Sequence, residues 1–230
     1  MPSRRAWRRR RRRPTCRKPI PSSGEPLPVI TGRLLEETGA RSRAFVATKV
    51  WTSGREAGIR QMEESFRLLR TKTIDLMQVH NLVDWRAHLP LLREWKAQGR
   101  IRYLGVTHYT SSAYPQLEQV LRSEALDFVQ LNYSIDDRTA EERILPLAAE
   151  RGIAVLVNRP FGGGGLLRSL SGRPLPAWAG ETGCESWAQA LLKFGTGNPA
   201  HMRANAQAGM GPMPDEAMRR RMIADAAARK

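Results

Sequence analysis

Ala44-Phe45-Val46-Ala47-Thr48-Lys49-Val50-Trp51 and Ile74-Asp75-Leu76-Met77-Gln78-Val79-His80 are two short apolar runs, one closing on a lysine and a tryptophan, the other on a histidine. Between them Glu56 to Leu69 carries apolar residues at helical spacing. Strand, helix, strand is the order of a βα unit. Parallel strands joined by one crossover helix end on the same side of their sheet, so Lys49 and His80 are expected as neighbours at one rim. Folds of this kind hold their active sites at that rim.

The alternation continues outward from this pair. Residues 44–51, 74–80, 103–108, 127–133 and 153–158 are strand candidates, each rich in Val, Leu, Ile or Phe and apolar on both faces, as in parallel strands covered by helices. Glu56 to Leu69, Arg86 to Gln98, Pro115 to Ser123 and Glu141 to Arg151 are the intervening helices, with Pro115 in a first turn and Gly99 and Gly152 as stops. A short helix before the first strand ends at Gly39, and Glu185 to Phe194 and Asp215 to Ala228 form the last ones, Asp215 as N-cap. The repeating order implies an α/β fold with a parallel sheet.

The chain has 230 residues, 41% of them apolar, enough for a substantial core. Of its formal charge of +16, ten positive charges come from Arg4, Arg5, Arg8 to Arg13, Arg17 and Lys18, before any acid occurs. Such a run attracts phosphates or acidic lipids in a salt-sensitive way without reading sequence, so specific nucleic-acid binding is not expected. Residues 1–28 read as a disordered Arg/Pro-rich leader and 29–230 as the folded body. Cys16 and Cys184 are too few for a disulfide framework and have no partner at metal-ligand spacing. No export signal follows the arginines, and no stretch reaches the ~18 to 20 apolar residues that span a bilayer. The expectation is a cytoplasmic protein that binds no membrane. His88 and His201 do not combine with His80 at metal spacing, so no metal site is expected, and Gly162 to Gly165 lack the Gly-Lys-Ser/Thr ending of a phosphate-binding P-loop.

Taken singly, a strand-end lysine is an ordinary rim residue and a strand-end histidine an ordinary core polar group. Four segments together say more. Thr48-Lys49-Val50-Trp51, Asp75 to Asn81, Arg102-Tyr103-Leu104-Gly105-Val106-Thr107-His108-Tyr109 and Phe128-Val129-Gln130-Leu131-Asn132-Tyr133 resemble, in order and spacing, successive strand-end motifs of the aldo/keto reductases. The resemblance covers roughly residues 29 to 228 and implies a (β/α)8 TIM-type barrel, NADPH or NADH as cofactor, and reduction of an aldehyde or ketone to an alcohol. Lys49 matches the lysine that lowers the pKa of a catalytic tyrosine, and His80 the histidine that orients the carbonyl. Hydride arriving at a carbonyl carbon leaves charge on oxygen, which calls for a proton donor and pre-oriented hydrogen bonds. Thr107 and His108 stand where the family has Ser-Asn against the nicotinamide carboxamide, and Gln130 is the third contact to that group. Asn158 stands where many members stack an aromatic ring on nicotinamide, and Asn205 resembles the asparagine near the adenine. Trp51 is the best candidate for a substrate-pocket wall.

Two departures shape the expectation. The family's tetrad also holds an aspartate and a tyrosine upstream of Gly32, but here no Tyr precedes Tyr103 and no Asp precedes Asp75. The segment Gly197-Asn198-Pro199-Ala200 runs directly into His201, where the family places its eighth strand and phosphate-binding loop. The reading is therefore an incomplete barrel lacking the first two strands and the eighth, with weakened cofactor binding and impaired catalysis. A misread N-terminus of the coding sequence fits the unpatterned leader. The alternatives are an inactive remnant or partner-binding module using exposed sheet edges, and non-specific polyanion binding by the leader.

Overall fold

A computed structural model of the chain describes residues 26–196 and 215–227; Asn205 and nearly all of the arginine-rich leader lie outside them. In chain order the elements are α1 (Leu27–Glu37), β1 (Ala47–Val50), α2 (Arg55–Leu69), β2 (Ile74–Val79), α3 (Trp85–Ala97), β3 (Ile101–His108), α4 (Tyr114–Ser123), β4 (Phe128–Asn132), α5 (Ile144–Glu150) and β5 (Ala154–Asn158). They are followed by α6 (Gly165–Ser169), α7 (Trp178–Glu181), α8 (Trp187–Thr196) and α9 (Glu216–Ala227). All five expected strands form, each within three residues of its expected start. The first helix begins at Leu27, two residues inside the expected leader, because Pro28 suits a first helical turn. The Asp215 carboxylate accepts the Met218 amide at 2.8 Å, the cap expected for α9.

The five strands make one parallel sheet in the order β1-β2-β3-β4-β5, so β1 and β5 are its edges among the described residues. The register runs Val50, Val79, Val106, Val129, Val155 straight across all five. Every one of these valines is buried. Side chains alternate along a strand, so this row marks one face of the sheet, the one its helices cover. Burying each valine contributes about 1.5–3 kcal/mol. The neighbouring rows belong to the opposite face: Lys49, Gln78, Gly105, Phe128 and Ala154 in one, and Thr107, Gln130 and Leu156 in the next. Gly105 has no substitute there, since a Cβ would lie 2.4 Å from the Phe128 carbonyl oxygen on the adjoining strand.

Two aspartates fasten neighbouring strands at their N-terminal ends. Asp75, 1% exposed, accepts the Val46 amide at 2.8 Å and pairs with Arg41 and Arg102 at 3.1 and 3.0 Å. Asp127 accepts the Leu104 amide at 2.9 Å and the Lys96 ammonium at 2.7 Å. Carboxylates bonded to backbone N–H groups are among the stronger hydrogen bonds. Each fixes the register that sets which residues meet at the other rim.

Candidate active site

Lys49, His80, Thr107 and Gln130 share one face of the sheet, because the pleat turns every second residue the same way. Lys49 stands one step below the end of β1, and His80 follows the last residue of β2. The His80 Nδ1 lies 2.8 Å from the Thr107 hydroxyl at the end of β3, which also accepts the Asn81 amide at 3.3 Å. Trp51 has the same parity as Lys49, and its indole meets the His80 ring edge-on, centroids 5.4 Å apart and planes at 86°. The expected Lys49, His80 and Trp51 are thus brought together, with Thr107 behind the histidine.

Electrostatics couple the first two. Burial holds the Lys49 ammonium below the ordinary lysine value. His80 is held below its ordinary value, first by burial, then by the Lys49 charge and by His108. The coupling acts on the histidine alone because His80 is already neutral at the pH where a lysine loses its proton. Burial also lowers His108, partly opposed by the Thr110 backbone.

The remaining expected residues divide. His108 has the parity of the buried valines; its Nδ1 bonds Thr110 and its ring stacks on Tyr109, centroids 5.8 Å apart. Gln130 pairs with Thr107 in the β3–β4 register. Asn158 ends β5 opposite Asn132, whose amide is already used by the Tyr114 hydroxyl at 2.8 Å and Asp137 at 2.6 Å. Burial and Asp137 raise the Tyr114 pKa, so that hydroxyl stays protonated as a donor. Asn205 lies outside the described residues.

Buried polar atoms without a partner are rare in folded proteins. Among the described residues they are Gln78 Nε2, Asn81 Oδ1, His88 Nδ1 and Asn158 Oδ1. Gln78 is the register partner of Lys49, Asn81 follows His80, and Asn158 closes β5. None of Gln78, Asn81 or His88 was singled out as a site residue from sequence. For Gln78 and Asn81 the available signal was their place beside Lys49 and His80, since Gln78 alternates with His80 on one strand and Asn81 follows it; His88, in α3, had none. Among the described residues no group of His, Cys, Asp or Glu could hold a metal ion, and no helix is long and apolar enough to cross a membrane.

The aldo/keto reductase family model matches residues 23–181. The chain belongs to this family. It is 28% identical over 141 residues to the aldo-keto reductase YhdN of Bacillus subtilis, a match covering 56% of this chain and 42% of that protein. It is also 28% identical over 178 residues to the NADH-specific methylglyoxal reductase of Escherichia coli, covering 66% of this chain and 53% of that one. The chain therefore spans about half the length of these curated relatives. The holo form of an aldo-keto reductase from Bacillus halodurans superimposes with a TM-score of 0.62 at 25% identity, covering 86% of this chain and 76% of that one. The five parallel strands and their helices are thus part of the family's (β/α)8 barrel.

In this family member the Thr107 hydroxyl meets His80 Nδ1 and the Asn81 amide. The amides of Gln130 and Asn158 fit a nicotinamide carboxamide in kind: Asn158 Oδ1 is a buried acceptor lacking a donor, and a carboxamide N–H is a donor.

Proposed function

We propose that this rim is the carbonyl site of an NAD(P)H-dependent reductase that takes small aldehydes or ketones, with Lys49 and His80 holding the carbonyl oxygen. The observation that supports this reading best is the shared face of Lys49, His80 and Trp51, with the histidine made neutral by burial and by the lysine charge. One lone pair of the Thr107 hydroxyl is taken by the Asn81 amide, and its proton is free for His80 Nδ1. In the tautomer we assign, that proton goes to Nδ1 and the histidine is protonated at Nε2, as a donor to a carbonyl oxygen. Lys49 supplies positive charge where negative charge develops on that oxygen. Trp51 walls the substrate pocket. A bound reduced nicotinamide would supply the hydride; Gln130, Asn158 and Asn205 are the residues proposed to hold it, with Thr107 acting through His80 and His108 flanking the site from the strand end.

No tyrosine precedes Tyr103 in the sequence, and the Tyr114 and Tyr133 hydroxyls are engaged elsewhere, with Asn132 and Glu141. Proton delivery then falls to Lys49 and His80, and turnover is expected to be lower by about 10²- to 10⁴-fold, the usual share of general acid catalysis. Methylglyoxal is the substrate to try first, because a relative is named for it. The cytoplasm, which holds reduced nicotinamides and small carbonyls, is the proposed location.

A second reading, a catalytically silent partner-binding module, draws on the sheet's uncovered aromatic face: Phe45 is 54% exposed and packs on Tyr103 and Phe128. Fluorescence titration of the full chain with NADPH and NADH, followed by methylglyoxal-dependent cofactor oxidation, separates the two. Saturable binding with slow turnover supports the reductase. No binding at millimolar cofactor rejects it.

A further inference from the structure

The loop joining β1 to α2 carries Trp51 and is held at three points by side chains from α2, α3 and the residue before α3. The Trp51 amide donates to Gln61 Oε1 at 2.6 Å, and Gln61 Nε2 reaches the Trp51 carbonyl at 3.4 Å. His88, fully buried in α3, places Nε2 2.7 Å from the Thr52 carbonyl. A carbonyl only accepts, so Nε2 carries a proton, and Nδ1 is buried without a partner. The Gly54 amide donates to Asp84 Oδ2 at 2.7 Å.

Asp84 belongs to the loop that follows His80, so this last bond ties the two loops flanking the Lys49–His80 pair. That loop is unusual in its backbone. Asn81, Leu82 and Asp84 all have positive φ, at 52, 56 and 48°. Non-glycine residues avoid this region, and clusters of them persist only where the surroundings enforce them. Here the strained loop presents His80 on one side and Asp84 on the other. Gly58 completes the fit: a Cβ there would lie 2.4 Å from His88 Cε1, so α2 leaves room for the imidazole and little more.

We propose that Gln61, Asp84 and His88 are positioning residues that clamp the β1–α2 loop onto the β2–α3 loop and fix the Trp51 indole edge-on to His80. The clamp accounts for a tryptophan that is 61% exposed yet set at a defined angle to the histidine. A fixed indole narrows the mouth and selects small, flat carbonyl compounds over bulky ones. The selectivity half rests on the reductase reading; the clamp itself stands on geometry.

The test is NMR of the His80 ring protons, whose shifts report the ring current of the adjoining indole. Trp51→Leu gives the shift expected without it. Gln61→Ala and Asp84→Ala, both at exposed side chains, are expected to move the His80 signals toward that value. Gln61→Glu and Asp84→Asn retain the accepting oxygen and are expected to keep them near wild type. Adding Gln61→Ala to Trp51→Leu is expected to change nothing further. Unmoved His80 signals in both alanine variants overturn the proposal, as does a displacement that persists without Trp51. With methylglyoxal and an aromatic aldehyde as paired substrates, Gln61→Ala is expected to lose discrimination in KM with kcat retained. A chain without turnover that still shows the NMR displacement refutes the reductase reading and leaves the clamp standing.

Discussion

Replacing Thr107 by valine removes one hydroxyl and nearly preserves shape. Thr107 is 1% exposed, and its Oγ1 serves both the His80 Nδ1 at 2.8 Å and the Asn81 amide at 3.3 Å. Leaving a buried polar group unsatisfied costs about 1–3 kcal/mol. The Asn81 bond is long and the His80 ring is partly open to water, so both losses fall at the lower end, and Thr107→Val is expected to cost about 2–3 kcal/mol in total. Thr107→Ser keeps the hydroxyl and removes one buried methyl, a loss of about 0.5–1.5 kcal/mol. Urea unfolding with a common slope should order the three as wild type, serine, then valine. Ring nitrogen shifts should at the same time show His80 leaving the Nε2–H form only in the valine variant. A valine variant as stable as the serine variant would falsify the view that this hydroxyl orients the histidine.

The folded-state pKa values of His80 and His108 are lowered, so the unfolded chain binds more protons as pH falls past the free histidine value of about 6.5. Their contribution is complete above that value and is lost as pH drops toward the folded values. The urea midpoint should therefore fall on acidification, with a shallower slope in His80→Gln; a midpoint that rises instead contradicts the assignment. Gly58→Ala gains about 1 kcal/mol of helix propensity but drives a Cβ into His88, at an overpacking cost of about 1–3 kcal/mol, whereas Gly165, with no atom near its Cβ position, gains without the collision. Thermal melts should show Gly58→Ala below wild type and Gly165→Ala at or above it. Asp75→Ala strips a buried carboxylate from the Val46 amide and from Arg41 and Arg102; because those arginines are 31% and 67% exposed, the expected loss is about 2–4 kcal/mol, below the full cost of breaking a buried pair. A urea midpoint unchanged in that variant would show that the latch between β1 and β2 is dispensable.

Periodicity exposed the strands because each carries a row of valine, leucine or isoleucine that must be buried, and chain order then fixed a parallel sheet. Lys49 and His80 were legible for the same reason: strand ends in such a sheet share a rim. The partners of these residues were harder to read. Thr107 became the support of His80 only once register set β3 beside β2. Gln61, Asp84 and His88 act through single atoms on a loop backbone, which no spacing rule encodes. The positive φ values at Asn81, Leu82 and Asp84 were equally hidden, since none of these positions is glycine. The short helices α6 and α7 lack the length that makes a period visible.

The pairing of lysine and imidazole is tested most directly by titrating the His80 ring by NMR in the wild-type chain and in Lys49→Met. A neutral side chain of similar length removes the charge while keeping the space filled. The expected result is a His80 pKa below the free value of about 6.5 in wild type and a clear rise in the variant, with burial alone still holding it down. An unchanged titration would mean that Lys49 and His80 do not face a common site.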